Sequence, residues 1–270
     1  MRIKRFLVIG AHPDDADLMF GGCAVKLAGQ GHKVKFVSCC NGNAGHYSEK
    51  PEALAARRRK EATKAAAVAK ITEYEILDNH DCKIVPTIEN RERITGIIRD
   101  FKPDVVISHR TCDYMADHRI TAQLVQDSAY LIMVPLFCPK HKVPEKNPIY
   151  IFSHDTFKKP CPFMPDMAVA IDDVVQEKIG MLNCHESQFY EWLPYTQEKL
   201  KEVPVSEGER RKWLAECWLP RDRHQADLAR EQLKARYGAS GIKVKYAETF
   251  ELSEYGRQPE PGELNALFPL

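Results

Sequence analysis

The stretch that decides the fold is FLVIGAHPDDADLMFGG, from Phe6 to Gly22. It opens with a continuous apolar run, Phe6 to Ala11, of the kind found in strands that are buried on both faces of a parallel sheet. A histidine and two aspartates, His12, Asp14 and Asp15, follow at once, and a helical pattern begins soon after them. Three polar side chains at the carboxyl end of a buried strand indicate either a capped turn or half of a metal site.

The first half of the chain alternates between strand-like and helix-like segments. Strands are predicted at Phe6–Ala11, Lys33–Cys40, Glu73–Leu77 and Asp104–Ser108, and helices at Leu18–Gln30, Pro51–Lys70, Ile88–Phe101 and His118–Leu131. Strands that alternate with helices of this length are typical of βαβ units. We therefore predict an α/β fold with a mostly parallel sheet that is covered by helices on both faces.

The second half changes character after Pro135. The region Pro135–Pro165 is rich in proline and contains one strand-like segment, IYIFSHD, so we predict a long loop, which in compact domains is often functional. Beyond it come a strand in MAVAIDD, a helix at Val174–Cys184, a helical region at Glu207–Tyr237 interrupted at Pro220, an extended segment VKYAETFEL and an irregular, proline-rich tail. We expect one domain over residues 1–270, with the α/β core in 1–190 and a helical and irregular extension in 191–270.

Composition narrows the class of protein. Hydrophobic residues make up 44% and charged residues 29% of the 270 residues, which is typical of a soluble globular protein. The net charge of +1 gives no basic face for nucleic acid, and no segment reaches the ~20 apolar residues that a membrane span requires. Nine cysteines, none of them in a Cys-x-x-Cys pair, indicate reduced thiols. We therefore predict a cytoplasmic protein that does not bind nucleic acid and has no membrane span.

A second polar loop should meet the first. The predicted strand Asp104–Ser108 is followed by HRTCDYMADHR, His109 to Arg119, and parallel strands bring their carboxyl ends to one edge of the sheet. Catalytic zinc takes three protein ligands and leaves one position open for water. With His12, Asp15 and a histidine of the second loop as ligands, Asp14 would be free to act as general base. The alternative is that one of the two aspartates simply caps the following helix.

Several segments form a pattern in their order along the chain. They are AHPDDADLMFGG, LAARRRKEATKAA, DYMADHR, EKIGMLNCHESQ and AETFEL. In the same order they resemble the AHPDD–GG signature, the Arg-x-x-Glu helix, the DYHPDHR loop, the His-x-Ser-Gln segment and the late EAF element of the LmbE-like/PIG-L family of zinc-dependent N-deacetylases. The resemblance runs from about Phe6 to Gln188 and returns at Ala247.

The resemblance implies a Rossmann-like sheet and a zinc ion held by His12, Asp15 and His118, with Asp14 as general base. It implies removal of an N-acetyl group from an amino sugar or amino-sugar conjugate by a homo-oligomer. The choice of His118 over the other histidine of its loop comes from the family. A set of two imidazoles and one carboxylate also accepts Fe²⁺ or another divalent ion. The resemblance further implies that Arg58 contacts substrate, whereas the residues alone allow a surface salt bridge with Glu61 or a neighbour.

One position departs from the family pattern. Its loop usually carries His-x-x-His, and the first of these histidines is replaced here by Met115. That histidine is implied to stabilise the oxyanion or to protonate the leaving amine, and a thioether can do neither. Either another residue such as His109, His185 or Tyr114 takes its place, or zinc alone suffices. The third explanation is a zinc-containing binding or regulatory protein with lost or altered turnover.

The remaining candidates are substrate contacts. The loop CCNGNAGHY places His46 and Tyr47 after the second strand, where they would touch substrate unless the loop is a plain turn. Tyr114 and His185 are further candidates, although a histidine at a helix end is often held by a backbone carbonyl. A Rossmann enzyme that uses a nucleotide is disfavoured, because no Gly-x-Gly-x-x-Gly follows the first strand.

Overall fold

The computed structural model describes residues 2–268 and places seven strands in one sheet. The strands are β1 Arg5–Gly10, β2 Lys33–Cys40, β3 Glu73–Asn79, β4 Val105–Ser108, β5 Ile149–Ser153, β6 Met167–Ala170 and β7 Ala247–Leu252. Their order is β3-β2-β1-β4-β5-β7-β6. Strands β1 to β5 pair in parallel, whereas β7 runs antiparallel to both of its neighbours, β5 and β6. The expected Rossmann-like, mostly parallel sheet is confirmed.

Helices cover both faces of the sheet, as predicted. They are α1 Asp15–Gly29, α2 Pro51–Ala69, α3 Ile88–Phe101, α4 Ala116–Leu131, α5 Val175–Cys184, α6 Leu193–Thr196, α7 Glu207–Leu228, α8 Arg230–Tyr237 and α9 Glu263–Leu267, with a π-helical segment at Ser187–Trp192 and 3₁₀ turns at Leu200–Glu202 and Gly238–Lys243. One face of β1 packs with α3 and α4, and the other packs with α1, α2 and α5. Phe6 and Leu7, adjacent in the chain, belong to these two different layers, which explains the continuous apolar run of β1.

The chain order of the strands reverses between β1 and β4. From β1 the chain moves outward through β2 and β3, and it then returns to pair β4 on the other side of β1. The loops that follow β1 and β4 therefore diverge and leave a crevice at the carboxyl ends of the two strands, which is where open α/β sheets bind ligands. Both polar loops of the sequence open into this crevice.

The double glycine that follows the first polar loop lets α1 pack closely. A Cβ atom at Gly22 would lie 2.6 Å from Ile171 Cγ2, so a side chain does not fit there. The backbone N–H groups of Gly22 and Cys23 each donate to the carboxylate of Glu248 at 2.8 Å, and Glu248 also pairs with the buried Lys178 at 2.8 Å. Strand β7, which lies in the predicted extension, thus contributes both to the sheet and to the support of α1.

Two predictions about the second half of the chain are wrong. Helix α7 continues through Pro220 and ends at Leu228, because a proline inside a helix removes only one backbone hydrogen bond and buried side chains such as Leu214 anchor the turns on either side. The tail is not irregular throughout, since α9 forms at Glu263–Leu267. Phe268 then packs its ring 5.2 Å from that of Phe6, centroid to centroid.

Two further properties bear on the predicted class of protein. Within residues 2–268, none of the helices combines the length and the apolar character that crossing a membrane requires. All nine cysteines are free, and Cys23, Cys39, Cys40 and Cys138 among them are buried. The division into a core over 1–190 and an extension over 191–270 stays a prediction.

Candidate metal and catalytic site

Three predicted metal ligands come together in the crevice between β1 and β4. His12 lies in the turn after β1, Asp15 is the first residue of α1, and His118 lies in the first turn of α4. His12 Nδ1 lies 3.5 Å from Asp15 Oδ2, and His118 Nε2 lies 3.5 Å from Asp15 Oδ1. Two ligands bound at about 2.1 Å to a tetrahedral ion are about 3.4 Å apart, so these separations fit a zinc-sized ion.

Each of the two histidines has a carboxylate on its other ring nitrogen. Asp117 Oδ2 lies 3.2 Å from His12 Nε2, and Asp113 Oδ2 lies 3.0 Å from His118 Nδ1. Carboxylates in this position orient metal-binding imidazoles and fix the nitrogen that faces the ion. Burial alone would lower the pKa of His12, but hydrogen bonds to Asp117 and Asp15 raise it to about 10. The cluster therefore carries an excess of negative charge that a cation would neutralise, and the residues fit a divalent metal.

Replacing Asp117 by asparagine is expected to weaken zinc binding about 10- to 100-fold, because an uncharged amide oxygen would replace the carboxylate that orients the His12 ring and raises its basicity. Competition with a chromophoric chelator measures this affinity directly. The matched control is Asp127→Asn on the same helix, since Asp127 pairs with Arg91 at 2.8 Å on the far side from the crevice. Equal zinc affinity in the two variants would show that Asp117 does not support a ligand.

Asp14 stands beside the ligand cluster with a partner of its own. Its Oδ1 accepts a hydrogen bond from Arg58 Nη2 at 3.1 Å, and it makes no side-chain bond to the backbone of α1. Asp15 Oδ2 instead accepts from the backbone N–H of His12 at 2.7 Å, so neither aspartate acts as a simple helix cap. Burial raises the pKa of Asp14 to about 6, against the opposing charge of Arg58. A carboxyl with a pKa this close to neutrality is suited to exchange protons at physiological pH.

Arg58 is buried behind Asp14 and is not on the surface. Its side chain is 2% exposed and also donates to the carbonyl of Pro13 at 3.2 Å. The loop after β2 closes over it, because Gly42 has a φ of +81° and a Cβ atom there would lie 2.5 Å from Arg58 Cδ. Asp81 holds that loop by accepting from the N–H of Gly42 at 2.8 Å. Glu61, the alternative partner of Arg58, is engaged elsewhere and accepts from the backbone N–H of Ser187 at 2.9 Å.

A pocket of about 440 Å³ opens beside the cluster. At the end nearest the proposed ligands it is lined by Asp15, His109, Asp113, Met115 and His118. Its remaining walls come from α1, from the loop after β4, from the end of β5 with the segment that follows it, and from α7. Their lining residues are Leu18, Met19, Arg110, Ser153, His154, Asp155, Thr156, Phe157 and Arg221. Its volume is within the range of small-molecule binding sites.

The five residues predicted to contact substrate all lie outside this pocket lining. Arg58 is buried as described, and His185 is fully buried with its Nε2 3.2 Å from Asp17. Tyr114 is 61% exposed and stacks on Phe157. Tyr47 is 42% exposed, whereas the side chain of His46 is only 3% exposed.

His46 and Tyr47 belong to a cluster on the outer side of α2. His46 Nε2 lies 2.9 Å from Glu191, which also pairs with Arg57. The ring of Tyr47 stacks on His46 at 4.4 Å and lies 4.5 Å from the ring of Tyr195 at a tilt of 30°. His46, Glu49 and Glu191 lie close enough to hold a cation, but both glutamates already pair with Arg57. The backbone next to His46 approaches the crevice, since a Cβ atom at position 45 would lie 3.4 Å from the guanidinium that holds Asp14.

Met115 lines the pocket at the position where the family has a histidine. Of the three residues predicted to replace that histidine, His109, His185 and Tyr114, His109 alone also lines the pocket. Met115 is 48% exposed, and its backbone N–H donates to Asp113. His109 is buried, stacks on His118 at 4.0 Å and lies with Nε2 3.3 Å from Asp15 Oδ2. That same Nε2 accepts from the backbone N–H of Ala11 at 3.1 Å.

Sequence reasoning missed the residues that surround the ligands. Asp113 and Asp117 both lie in the loop HRTCDYMADHR, and their closeness to His118 in the sequence could have indicated that they contact the metal-binding histidines. His154 had a weaker signal, as a polar residue directly after the strand-like segment that became β5. Arg221 lies inside a charged helix and carried no signal in the sequence.

Comparison with known proteins identifies a matching family for the first half of the chain. Residues 7–129 match the PIG-L family, described as GlcNAc-PI de-N-acetylase. A diacetylchitobiose deacetylase from Thermococcus kodakarensis is 27% identical over 203 residues, which cover 72% of this chain and 75% of that protein.

Two solved structures share the fold. The N,N'-diacetylchitobiose deacetylase from Pyrococcus horikoshii has a TM-score of 0.70 at 24% identity and covers 93% of this chain and 84% of its own. The 4-carboxy-2-hydroxymuconate hydratase from Pseudomonas putida has a TM-score of 0.71 at 20% identity, and the match covers 96% of this chain and 99% of the hydratase. At these identities the likeness concerns the fold alone. Residues 7–129 are thus a domain of the PIG-L, or LmbE-like, family, and the shared fold extends over most of the chain.

Proposed function

We propose that this chain is a metal-dependent hydrolase that removes the N-acetyl group from an amino sugar or an amino-sugar conjugate. The observation that carries the proposal is the convergence of His12, Asp15 and His118, beside which Asp14 lies outside the ligand set with a pKa near 6. The relatives named above include deacetylases of diacetylchitobiose, an N-acetylated disaccharide, which supports this substrate class.

His12, Asp15 and His118 would hold the metal. Zinc is the proposed ion, and Fe²⁺ is the alternative that the same donor set accepts. When bound, the ion would acidify water and polarise the acyl carbonyl of the substrate. Asp113 and Asp117 would keep the two imidazoles in the orientation described above.

Asp14 would move the protons of the reaction. Its carboxylate takes a proton from the attacking water and then delivers a proton to the departing amine, so that acetate and a free amine result. Arg58 holds Oδ1 at 3.1 Å, which orients the carboxylate and leaves Oδ2 without a hydrogen-bond partner among residues 2–268. One residue can serve both steps, which suits a chain in which Met115 replaces the histidine that the family places nearby.

The test is acetate release from a panel of N-acetylated sugars by the zinc-loaded protein, with the EDTA-treated protein as control. We expect release from at least one member of the panel and its loss after metal removal. A parallel assay follows hydration of an unsaturated dicarboxylate by ultraviolet absorbance, because a hydratase shares this fold. Zinc binding with no turnover in either assay would favour the alternative, a binding or regulatory protein.

A cytoplasmic location and a homo-oligomeric state complete the proposal. The location is supported by nine free cysteines, which suit a reducing compartment. The oligomeric state rests on the family resemblance, and light scattering on the purified chain measures it. The substrate is proposed to be a small molecule, because the pocket is of small-molecule size and the net charge is +1.

A further inference from the structure

The distal wall of the pocket has chemistry that the proposed reaction does not use. It is formed by His154, directly after β5, and by Arg221 of α7, which lie 67 positions apart in the chain. Both line the same pocket as Asp15 and His118. A substrate bound with its amide at the metal end would therefore present another of its groups to this wall.

His154 is a buried polar group without a partner. It is 6% exposed, and within residues 2–268 neither ring nitrogen makes a hydrogen bond, while Nδ1 is fully enclosed. Its ring contacts those of Phe163 and His224. Burial and the nearby charge of Arg221 lower the pKa of His154 to about 3, so the ring is neutral and offers one N–H donor. Because Nδ1 is enclosed by protein, only Nε2 can meet a bound group, and a buried imidazole that lines a pocket without any hydrogen-bond partner in the described part of the chain indicates that such a group completes the site.

Arg221 is fixed at the wall with hydrogen-bonding capacity to spare. Nη1 donates to the carbonyl of Leu18 at 3.0 Å and Nη2 to that of His154 at 3.2 Å. A guanidinium carries five N–H donors, so most of them stay unused among the described residues. The nearest carboxylate oxygen, Asp222 Oδ1, lies 3.7 Å away and already accepts from Lys178 at 3.0 Å.

The acidic side chain of the same wall is already engaged. Asp155 Oδ1 lies 3.2 Å from Arg110 Nη1 and accepts from the backbone N–H of Phe157 at 2.9 Å. Asp155 Oδ2 has no hydrogen-bond partner among the described residues, but it is enclosed by protein and so does not face a ligand. Arg110 also lies 3.4 Å from Glu251. The groups left free to meet a ligand at this wall are therefore mainly donors.

We infer that Arg221 and His154 form an anion subsite, which binds a carboxylate or phosphate group carried by the substrate at the end remote from its N-acetyl group. Arginine and imidazole N–H donors suit both anions. The inference rests on the proposed function only in placing the amide at the metal end. It narrows the substrate class from N-acetylated amino sugars to acidic ones.

Calorimetric titration tests the subsite without turnover, in zinc-loaded protein that carries Asp14→Asn. The probes are N-acetylglucosamine, its 6-phosphate and N-acetylglucosaminuronic acid, which present no anion, a phosphate and a carboxylate, both anions being at C6 and away from the 2-acetamido group. We expect at least one acid to bind tenfold or more tightly than the neutral sugar, and the better acid identifies the anion. Equal affinity of all three probes would overturn the inference.

Arg221→Gln is expected to remove the preference for the acid. The matched control is Arg91→Gln, since Arg91 is similarly exposed, 27% against 26%, and lies on α3 away from the pocket. His154→Asn provides a second variant should Arg221→Gln fail to fold, and it is expected to weaken acid binding alone. If both variants still prefer the acid, the preference comes from the metal ion or from the overall electrostatic field of the protein. That result would overturn the subsite.

Acetate release by the parental chain reports the proposed function separately. Selective binding of the acid without acetate release would keep the subsite and discard the deacetylase. Acetate release with no acid preference would keep the deacetylase and discard the subsite.

Discussion

Replacing Asp14 by asparagine is expected to lower kcat for deacetylation about 10²- to 10⁴-fold while the protein keeps its bound metal ion. Asparagine has the same shape but cannot accept a proton from water or pass one to the amine. Its oxygen can still accept from Arg58, which holds Oδ1 of Asp14 at 3.1 Å, so the local structure should persist. Steady-state kinetics and metal analysis of the same preparation give the two readouts.

The matched control is Asp81→Asn, in the other carboxylate that faces Arg58. Asp81 is buried to a similar degree, 5% exposed against 7% for Asp14, and lies 3.6 Å from Arg58. The asparagine oxygen can still accept from the N–H of Gly42, so we expect a change of about tenfold or less in kcat. If Asp14→Asn turns over as fast as the parental protein, Asp14 is not the general base. If the variant loses its metal ion, Asp14 is a metal ligand.

The meeting of His12 and Asp15 with the loop after β4 could be predicted from the sequence because it follows from the topology, whereas the choice of His118 within that loop came from the family resemblance. Parallel strands bring their carboxyl ends to one edge, and the apolar runs that became β1 and β4 were each followed by a polar loop. Strand positions depend on local apolar pattern, which a single sequence displays. The assignment of the ligands themselves stays a prediction.

The surroundings of the ligands could not be predicted in the same way, because side-chain direction in loops is set by tertiary contacts. Arg58 lies on a helix whose pattern suggests a charged surface, and only the closure of the Gly42 loop over it shows that it is buried. His185 likewise reaches no pocket, because Asp17 and the body of α1 lie beside it. The distal wall joins His154 to a residue of α7, and no local pattern relates such distant segments.

Among the described residues, the crevice contains two groups that could hold a metal ion, and His12, Asp15 and His118 form the first group. The crevice contains a second group that could hold a cation, His109, Asp113 and His118, which shares one histidine with the first group. In the first group Asp113 orients His118, whereas in the second it would bind the ion itself. The two arrangements predict different sets of essential residues, so substitution separates them.

Replacing His118 by alanine is expected to weaken zinc binding by more than about 100-fold, since loss of an outer partner alone costs up to that much. Only His12 and Asp15 would then remain of the three ligands, and turnover should fall to background. Metal content after dialysis and acetate release measure the two effects. Because His118 belongs to both groups, this result alone shows that the crevice is the metal site but not which group binds.

His109→Ala and His12→Ala make that distinction. We expect His12→Ala to lose the metal, because its Nδ1 is 3.5 Å from Asp15 and its Nε2 is held by Asp117. His109→Ala should keep it, because Nε2 of His109 already accepts from the backbone of Ala11. A fall in kcat with zinc retained in His109→Ala would assign to His109 the task left open by Met115. The reverse pattern, with zinc lost from His109→Ala and kept in His12→Ala, would place the ion in the second group and remove the basis for Asp14 as the base.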